Sequence, residues 1–496
     1  MTARRFVILG ATGDLTCRYL LGALAEMAGA GFLPADLALV GVAREPWDAP
    51  RFRAHVAECL ERHAGHLPRA GRMEVVGRLS YVAGDVRSPA ALNRAFAPDA
   101  RDSVAYLALP PAVFAPAVEA LAGIGVCDDS RIIVEKPFGT NLGSAQALNH
   151  LLHRHFAESS VFRLDHFLGK QTVQNVLGAR FANRLLEPVW NCHHIAAVDL
   201  VWDETASLDG RAGYYDHTGA LRDVVQNHLL QLLCLVAMER PAALAEKEFR
   251  DAKVELLRAV RRPAPAEVAL NTRRARYGAG QVGDRRVPDY VNEPGVHPAR
   301  ETETYAEVTL FVDNDRWRGV PFRLRTGKAL AEDRRRIAVT FRPLTKALFG
   351  LEGDPPLNRI VFEVNPDRLV VDLALNGAGD PFCTEAAALE VNLAAQDLSP
   401  HARLLVEALE GDPTLSIRGD EAEECWRIVE PILREWERGT PPLHTYRAGS
   451  EGVSAGAGLR AGVDPQLAGG SREGRFDGRR QHRGAVEVSD DAALFQ

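Results

Sequence analysis

The chain has no long hydrophobic run. A membrane-spanning helix needs about 18 or more consecutive apolar residues, and no such run occurs in the sequence. The amino-terminal stretch MTARRFVILG is apolar only briefly and is too short for the core of a signal peptide. We therefore expect a protein without membrane segments that resides in the cytoplasm.

Cysteine is scarce, with seven residues among 496. The seven are scattered and none forms a CxxC pair: Cys17, Cys59, Cys127, Cys192, Cys234, Cys383 and Cys425. An odd number without close pairs is typical of reduced thiols in a cytosolic protein, and it argues against a disulfide framework or a zinc site. We expect reduced cysteines and no bound metal.

An excess of positive charge is also absent, because 59 Lys and Arg stand against 66 Asp and Glu, for a net charge of -7. Such a chain has no general attraction to nucleic acid or to anionic membranes, so any anionic ligand needs a local cationic pocket. With 46% hydrophobic residues the composition is that of a globular protein. At about 150 residues per domain, the length allows two or three domains.

The first part of the chain alternates short apolar segments with segments of helical spacing. The apolar segments are RFVILG, LALVGVA, LSYVAGD, SVAYLALP and RIIVEKP. This alternation predicts a parallel sheet with helices on both faces, and so an α/β Rossmann-like domain over residues 1–165.

The second part has longer alternating strands, such as YAEVTLFVDND and RRIAVTFRP, which are typical of an antiparallel sheet. One strongly apolar helix, GALRDVVQNHLLQLLCLVAME, lies among them. We predict an α+β domain with a large, mostly antiparallel sheet over residues 166–447. Residues 448–496 hold hardly a large apolar side chain and cannot offset roughly 1–2 kcal/mol of backbone entropy per residue, so we predict a disordered tail.

A glycine turn follows the first predicted strand. VILGATGDL places Gly10 and Gly13 between that strand and the first helix. At this junction a dinucleotide pyrophosphate meets free helix N–H groups and the positive end of the helix dipole. The alternative is a plain tight turn.

Two cationic residues follow later strands of the same predicted sheet. Arg44 stands where an NAD-binding fold usually has a carboxylate, and a guanidinium can bind the 2′-phosphate of NADP. Glu45 beside it weakens this preference. Lys136 follows the fifth strand, at the edge where such sheets bind ligands.

The segment VFRLDHFLGK combines an acid with two cationic groups. His166 and Lys170 are suited to a dianionic phosphate, whereas Asp165 would weaken that binding if it faced the phosphate. A carboxylate can instead orient an imidazole that acts as a base. We predict His228, which lies in the apolar helix, as its partner; the alternative for His228 is a buried structural histidine.

These motifs resemble the glucose-6-phosphate dehydrogenase family. The similar segments, spread over residues 5–447, include GATGDL, GVAR, EKPFG, RLDHFLGK, GYYDHTGALRDVVQNHLLQ, VPFRLRTGKAL and DEAEECWRIVEPIL. The resemblance implies a two-domain enzyme that oxidises the C1 hydroxyl of glucose 6-phosphate to 6-phosphogluconolactone and reduces NADP.

The resemblance also implies roles for individual residues. His228 matches the general base and Asp165 its orienting partner. The residues that match the substrate site are Lys136, His166, Lys170, Glu204, Asp223 and Lys328. Those that match the NADP site are Gly10, Thr12, Gly13, Asp14, Leu15, Arg44 and Lys136. A homodimer or tetramer, with the large sheet forming the dimer interface, is implied as well, without nucleic acid or membrane partners.

The sequence departs from the family pattern in both sites. After GDL, Cys17 and Tyr19 replace basic residues and only Arg18 remains, which predicts weaker contact with the cofactor phosphates. Phe167 replaces a tyrosine whose hydroxyl would donate to the substrate phosphate, and this change predicts a raised KM. Phe114 likewise replaces a tyrosine near the cofactor.

Other interpretations stay open. One of the arginines 334–336 can reach the substrate phosphate, or all three can form a solvated strand edge. A related hexose-phosphate dehydrogenase that uses NAD is an alternative function. A non-catalytic homologue that binds a sugar phosphate or a nucleotide is another.

Overall fold

The computed structural model describes residues 3–97, 101–126, 130–208, 210–344, 358–376 and 384–453. Most of the predicted tail, from residue 454 onward, lies outside the described residues. So do Cys127 and Cys383. Among the described residues, no helix combines the length and the apolar character that crossing a bilayer requires.

The first sheet is parallel throughout. Its six strands are β1 (Arg5–Leu9), β2 (Ala38–Ala43), β3 (Leu79–Ala83), β4 (Ser103–Leu107), β5 (Arg131–Glu135) and β6 (Val161–Leu164), in the spatial order β3-β2-β1-β4-β5-β6. Both of its faces are buried, since Phe6 and Ile8 belong to one apolar core and Val7 and Leu9 to another. This confirms the predicted Rossmann-like sheet.

Helices cover both faces of the first sheet and also pack against the second sheet. The α-helices are α1 (Leu21–Gly29), α2 (Ala49–Ala64), α3 (Arg69–Arg78), α4 (Pro89–Phe96), α5 (Phe114–Gly123), α6 (Leu142–His155), α7 (Gln171–Ala182), α8 (Ala212–Tyr215), α9 (Leu230–Ala237), α10 (Glu246–Ala259), α11 (Pro265–Asn271), α12 (Pro400–Glu410) and α13 (Gly419–Glu437). Two π-helical segments, Thr16–Leu20 and Leu221–Leu229, run directly into α1 and α9.

The second sheet has nine strands and is mostly antiparallel, as predicted. The remaining strands are β7 (Ile195–Asp203), β8 (Thr272–Gly278), β9 (Gly280–Val282), β10 (Arg285–Val287), β11 (Tyr305–Leu310), β12 (Phe322–Gly327), β13 (Arg334–Phe341), β14 (Arg359–Glu363), β15 (Arg368–Asn376), β16 (Thr384–Asn392) and β17 (Leu443–Arg447). The spatial order is β16-β15-β14-β13-β7-β12-β11-β8-β17, and only the pairs β7 with β12 and β8 with β17 are parallel. Strands β9 and β10 form a separate hairpin.

Helix α12 comes late in the chain but packs against the first sheet. Leu404 and Leu405 belong to the same apolar core as Phe6. The N–H of Ala3 donates to the carbonyl of Leu409 over 2.9 Å. The amino-terminal half therefore receives part of its core from a segment about 400 positions further along the chain.

The ordered chain extends beyond the predicted start of the tail at residue 448. Ala448 is buried and its N–H donates to the carbonyl of Gly278, while the N–H of Gly449 donates to Ala329. Small residues let this segment lie close against the hairpin strand β9, since a Cβ at Gly449 would lie 1.7 Å from the carbonyl oxygen of Gln281. The prediction of a disordered tail rested on amino-acid composition, which does not indicate backbone contacts of this kind.

The expectation that the cysteines are reduced is wrong for one pair. Cys17 and Cys59 form a disulfide with an S–S distance of 1.98 Å and a Cα–Cα distance of 5.1 Å. The two residues are 42 positions apart, and packing of α2 beside the opening of the first helix brings them together. Cys192, Cys234 and Cys425 are free thiols.

Candidate active site

Two neighbouring parallel strands place a cation and a carboxylate side by side. Glu135 of β5 is in register with Leu164 of β6, so the next residues, Lys136 and Asp165, leave the sheet together at its carboxyl edge. This is the edge at which doubly wound sheets bind ligands. Gly169 follows in the same loop, where a Cβ would lie 2.4 Å from the carbonyl oxygen of Pro400, so only glycine fits.

The apolar helix over residue 228 is π-helical in its first part. In an α-helix, residues five apart point about 140° away from each other, because each residue turns by about 100°. The wider π-helical turn instead brings such residues to one face. Asp223 and His228, both in Leu221–Leu229, therefore contact the same partner, the ammonium of Lys136.

His228 is held from both ring nitrogens. Its Nδ1 lies 2.5 Å from a carboxylate oxygen of Asp165, and its Nε2 lies 2.8 Å from Nζ of Lys136. The side chains of His228 and Asp165 are only 3% and 1% exposed. Asp165 also accepts the backbone N–H of Phe167 over 3.0 Å. This buried pair confirms the contact that the sequence predicts between Asp165 and His228.

The electrostatics favour a neutral imidazole beside an ionised carboxylate. Burial lowers the pKa of His228, and the charge of Lys136 lowers it further, so that the raising effect of Asp165 is outweighed. Burial opposes ionisation of Asp165, but the interactions with His228 and the N–H of Phe167 hold its pKa well below the usual range. At neutral pH His228 is therefore a base able to accept a proton.

The predicted phosphate-binding residues surround an aromatic platform. Phe167 stacks on His228 with ring centroids 3.7 Å apart, and His166 contacts His228 edge-on at 5.0 Å. Nζ of Lys170 lies 5.8 Å from the ring centre of Phe167 and 5.7 Å from that of Trp202. Burial and the charge of Arg335 lower the pKa of Lys170, and together they outweigh the raising effect of nearby carboxylates. An anion would relieve this crowding of positive charge.

Glu204 and Lys328 form an ion pair across two strand ends. Glu204 follows β7 and Lys328 follows β12, and these neighbouring parallel strands end together. Burial opposes ionisation of Asp223, but the charges of Lys136 and Lys328 lower its pKa below the usual value. Through Lys136, which contacts both Asp223 and His228, these three residues belong to the same cluster of charges as the buried pair of His228 and Asp165.

The glycine turn fits a dinucleotide pyrophosphate. Gly10 has φ +92°, and a Cβ there would lie 2.2 Å from the carbonyl oxygen of Ala108. Only glycine fits at this position, and it has no side chain of its own to cover the backbone. Gly13, Asp14 and Leu15 follow at the opening of the first helix, whose N–H groups are suited to phosphate oxygens. Asp14 pairs with Arg18 over 2.5 Å.

The end of β2 carries both signs of charge. Arg44 is exposed, as a residue for a 2′-phosphate should be. Its neighbour Glu45 accepts a hydrogen bond of 2.8 Å from the hydroxyl of Thr12 in the glycine turn. Sequence reasoning noticed Glu45 but not this contact, for which no sequence signal exists.

The three consecutive arginines have different surroundings. Arg334 pairs with Glu451 and with Glu332. The guanidinium of Arg335 lies over Trp202 at 5.4 Å and raises the positive potential at Lys170, so it is the one nearest the predicted phosphate pair. Sequence reasoning missed Trp202, which a strand pattern presents only as a core residue. Phe114 is buried in the core.

A Rossmann-like sheet with a glycine turn, and a buried carboxylate–imidazole pair at its carboxyl edge, define a nicotinamide-dependent dehydrogenase. Comparison with known protein families gives two adjacent domain matches that name the same enzyme. Residues 7–175 match the family domain described as glucose-6-phosphate dehydrogenase, NAD binding domain. Residues 177–462 match the glucose-6-phosphate dehydrogenase C-terminal domain.

Individual relatives of the chain carry the same enzyme name. The chain is 42% identical over 464 residues to glucose-6-phosphate 1-dehydrogenase of Gluconobacter oxydans, covering 90% of this chain and 94% of the relative. It is 39% identical over 500 residues to that of Mycolicibacterium smegmatis, covering 97% and 98%.

Solved structures of this enzyme have the same fold as the chain. The enzyme of Mycobacterium avium superposes with TM-score 0.81 at 34% identity, covering 91% of this chain and 95% of that one. A glucose-6-phosphate dehydrogenase in complex with glucose 6-phosphate superposes with TM-score 0.82 at 30% identity, covering 92% and 97%. The chain belongs to the glucose-6-phosphate dehydrogenase family. This confirms the predicted oxidation of glucose 6-phosphate and the predicted use of a nicotinamide dinucleotide as cofactor.

Proposed function

We propose that His228 is the general base that removes the proton of the C1 hydroxyl of glucose 6-phosphate as the hydride leaves C1. The observation that carries this role is the buried contact of 2.5 Å between Asp165 and Nδ1 of His228. Since Nδ1 donates to the carboxylate, Nε2 keeps its lone pair for the substrate proton. General base catalysis of this kind contributes about 10²- to 10⁴-fold in rate.

Lys136 assists this step from the other side of the imidazole. Its ammonium donates to Nε2 of His228 and to the backbone carbonyl and carboxylate of Asp223. When the C1 hydroxyl takes the place of Lys136 at Nε2, the ammonium keeps its two acceptors on Asp223. Its charge then stabilises the negative charge that develops on the C1 oxygen.

The remaining polar residues orient the sugar phosphate. His166 and Lys170 bind the phosphate, because both lie beside His228 and Phe167 and offer nitrogen donors to an anion. Glu204, Asp223 and Lys328 bind the sugar hydroxyls at the opposite side. An analogue lacking a hydroxyl would leave one of these partly buried charges unpaired, which gives specificity.

The amino-terminal domain holds the cofactor. Gly10 and Gly13 let the backbone approach the pyrophosphate, and Thr12, Asp14 and Leu15 open the helix that faces it. Arg44 binds the 2′-phosphate. When bound, NADP supplies the carbon that accepts the hydride. We assign residues 1–165 to this domain and 166–447 to the substrate domain.

Use of NAD is a second candidate, which one observation favours. Glu45 bonds to Thr12 within the cofactor turn, and a carboxylate there attracts ribose hydroxyls and repels a 2′-phosphate. Initial rates of nicotinamide reduction, measured with NADP and NAD in parallel, distinguish the two. We expect a higher kcat/KM for NADP; a higher value for NAD would assign the enzyme to that cofactor.

We also propose a homodimer that resides in the cytoplasm. The antiparallel ribbon β15–β16 leaves large apolar side chains in solvent, and Leu375, Leu389 and Val391 are 53%, 58% and 56% exposed. A second copy of the chain would cover them, as the family resemblance implies. The cytoplasmic location rests on the substrate and cofactor, since multiply charged molecules cross a hydrocarbon layer only at high cost.

The decisive experiment for the base is the variant His228→Asn. We expect kcat to fall by about 10²- to 10⁴-fold with little change in the Kd for glucose 6-phosphate, because the phosphate and hydroxyl contacts remain. His193→Asn, an exposed histidine outside the site, is the matched control. Unchanged turnover in His228→Asn would remove the base assignment. No turnover in the wild type would indicate a homologue that only binds.

A further inference from the structure

The disulfide between Cys17 and Cys59 lies beside the cofactor turn. Cys17 is in the π-helical segment Thr16–Leu20, and its N–H donates to the carbonyl of Gly13 over 3.0 Å. One end of the covalent bridge is therefore attached to the backbone proposed to bind the pyrophosphate. At this position the family resemblance leads one to expect a basic residue, so the thiol has replaced a direct phosphate contact.

The other end of the bridge lies near a second segment of the cofactor site, the end of β2. We call the glycine turn and the end of β2 the two arms of this site. Cys59 lies in α2, which begins at Ala49, shortly after Arg44 and Glu45 at the end of β2. These two residues are the ones proposed to meet the adenosine ribose. The two arms touch through the 2.8 Å hydrogen bond between Thr12 and Glu45. The disulfide thus ties together the two helices that carry the cofactor site.

The pair has the features of a reactive couple. Cys17 is partly exposed, whereas Cys59 is 2% exposed. His55 lies one helical turn before Cys59, with Nε2 3.6 Å from its sulfur, and the ring of Trp47 packs on His55 at 5.1 Å. An accessible sulfur, a buried sulfur and an imidazole within reach form a typical arrangement for thiol–disulfide exchange.

We propose that Cys17 and Cys59 are a reversible dithiol–disulfide couple, a modification site whose oxidised form binds the dinucleotide cofactor more tightly than the reduced form. This inference rests on the proposed position of the cofactor at Gly10, Gly13 and Arg44.

The oxidant is a small organic disulfide, and the exchange proceeds in two steps. The Cys17 thiolate attacks one sulfur of the external disulfide, whose S–S bond breaks and releases the first thiolate. His55 then takes the proton of Cys59, whose thiolate attacks the sulfur of Cys17. The mixed disulfide breaks, and the second external thiolate leaves with the proton. Two protein thiols are oxidised, and one external disulfide is reduced to two thiols.

The direction of the effect follows from preorganisation. With the bridge closed, the helix behind the glycine turn and helix α2 have a fixed separation, so the arms carrying Gly13 and Arg44 are in place before the cofactor arrives. After reduction, that order has to be established on binding, which weakens affinity. Because the reaction produces reduced NADP, oxidation of the pair would increase the supply of reductant when it is needed.

The test uses full-length wild-type enzyme, prepared with excess dithiothreitol or with oxidised glutathione and then desalted. Alkylation and mass spectrometry count free thiols, and we expect two fewer in the oxidised sample. Titration with NADP alone, followed by tryptophan fluorescence, gives Kd. We expect Kd to be about 3- to 10-fold lower in the oxidised sample, the size expected when one or two side chains are immobilised in advance.

Variants assign the effect to the pair. Cys17→Ser, which cannot form the first mixed disulfide, should have the Kd of the reduced enzyme under both conditions, and Cys59→Ser should agree with it after treatment with dithiothreitol. Cys192→Ser, which removes a partly exposed thiol elsewhere, should behave as the wild type. Equal Kd values in both redox states would overturn the proposal. So would a thiol count that oxidant does not change, or uptake of one Zn²⁺ per reduced chain by Cys17, His55 and Cys59 that blocks closure of the bond.

The failure of this inference can be told apart from failure of the proposed function. If glucose 6-phosphate is oxidised equally well by both redox forms at limiting NADP, only the redox couple is wrong. If neither form produces reduced NADP, the catalytic assignment is wrong, whatever the titration shows.

Discussion

The imidazole of His228, the proposed base, titrates under opposing influences, which should determine the pH dependence of the reaction. Burial and Lys136 lower its pKa below the usual value near 6.5, while Asp165 raises it. A base must be neutral, so kcat should be constant at neutral pH. It should fall only as pH drops through this lowered pKa.

The variant Asp165→Asn tests this balance. Without the carboxylate, the imidazolium loses its counter-charge, so the acid limb of kcat should move to lower pH. The plateau of kcat should fall by about 10²-fold or more, because the imidazole is no longer oriented. Profiles of kcat against pH for both enzymes provide the measurement. A shift of the acid limb to higher pH would contradict the assigned interaction.

Phe167 stands where the family resemblance leads one to expect a tyrosine. The ring is buried and stacks on His228, beside Lys170. In Phe167→Tyr, a hydroxyl is added next to the proposed phosphate site. We expect KM for glucose 6-phosphate to fall about tenfold or more, since a hydrogen bond to a charged group contributes about 1.5–3 kcal/mol. KM for NADP should not change, and initial rates at varied concentrations of each reactant measure both.

Which site residues could be predicted depended on how they are positioned. Lys136 follows a predicted strand, RIIVEKP, but the strand that precedes Asp165, β6, was not predicted, so the proximity of the two residues came only from the structure. His228 was foreseeable as a polar residue in an apolar helix. The bond between Thr12 and Glu45, and the ring of Trp202 beneath Lys170 and Arg335, depend on rotamers and on strand pairing that leave no periodic trace.

Among the elements, helices α10 and α13 are joined by a buried ion pair. Nζ of Lys253 lies 2.6 Å from a carboxylate oxygen of Glu421, and both side chains are 0% exposed. Removing one charge leaves the other buried without its partner, which costs about 3–5 kcal/mol. The other oxygen of Glu421 accepts the N–H of Arg418 at the start of α13, and glutamine can keep that bond.

The expected result for Glu421→Gln is a free energy of unfolding lowered by about 3–5 kcal/mol, measured by urea denaturation. The double variant Lys253→Met with Glu421→Gln removes both charges and should recover most of the loss. If the double variant is less stable than Glu421→Gln alone, the pair is not the cause.

Regular elements were predictable where a simple period persists. The first five parallel strands and the long strands β11 and β13 follow the apolar pattern and were predicted, whereas the sixth parallel strand, β6, was not. The apolar segment GALRDVVQNHLLQLLCLVAME was predicted as a helix, but the π-helical geometry of its first part, Leu221–Leu229, was not. The apolar periodicity of LRDVVQNHLL does not distinguish an α-helix from a π-helix, so the contact of both Asp223 and His228 with Lys136 could not be predicted from it.

At the scale of the whole molecule, the proposed dimer depends on the ribbon β15–β16. Directly opposed residues of antiparallel strands share a face, so the pairing of Val371 with Leu389 and of Leu369 with Val391 produces one apolar face. Leu369 and Val371 pack on the main core, whereas Leu389 and Val391 are in solvent. Strand β16 also lies at the edge of the sheet, where backbone groups are open to pairing.

Leu389→Glu should therefore convert the proposed dimer to a monomer, because a charge would be buried in an apolar interface. Size-exclusion chromatography with light scattering measures the mass. Leu244→Glu, at a side chain that is 68% exposed elsewhere, should leave the mass unchanged. A wild-type enzyme that runs as a monomer of 54.1 kDa would contradict the proposal directly.

The packing of α12 against the first sheet also has a consequence for synthesis on the ribosome. Nascent chains fold from the amino terminus as they emerge, at about 5–20 residues per second. Leu404 and Leu405 fill the layer beside Phe6, so the nucleotide-binding half cannot close its core until translation has passed α12. During most of translation, the apolar surface that α12 later covers is therefore exposed.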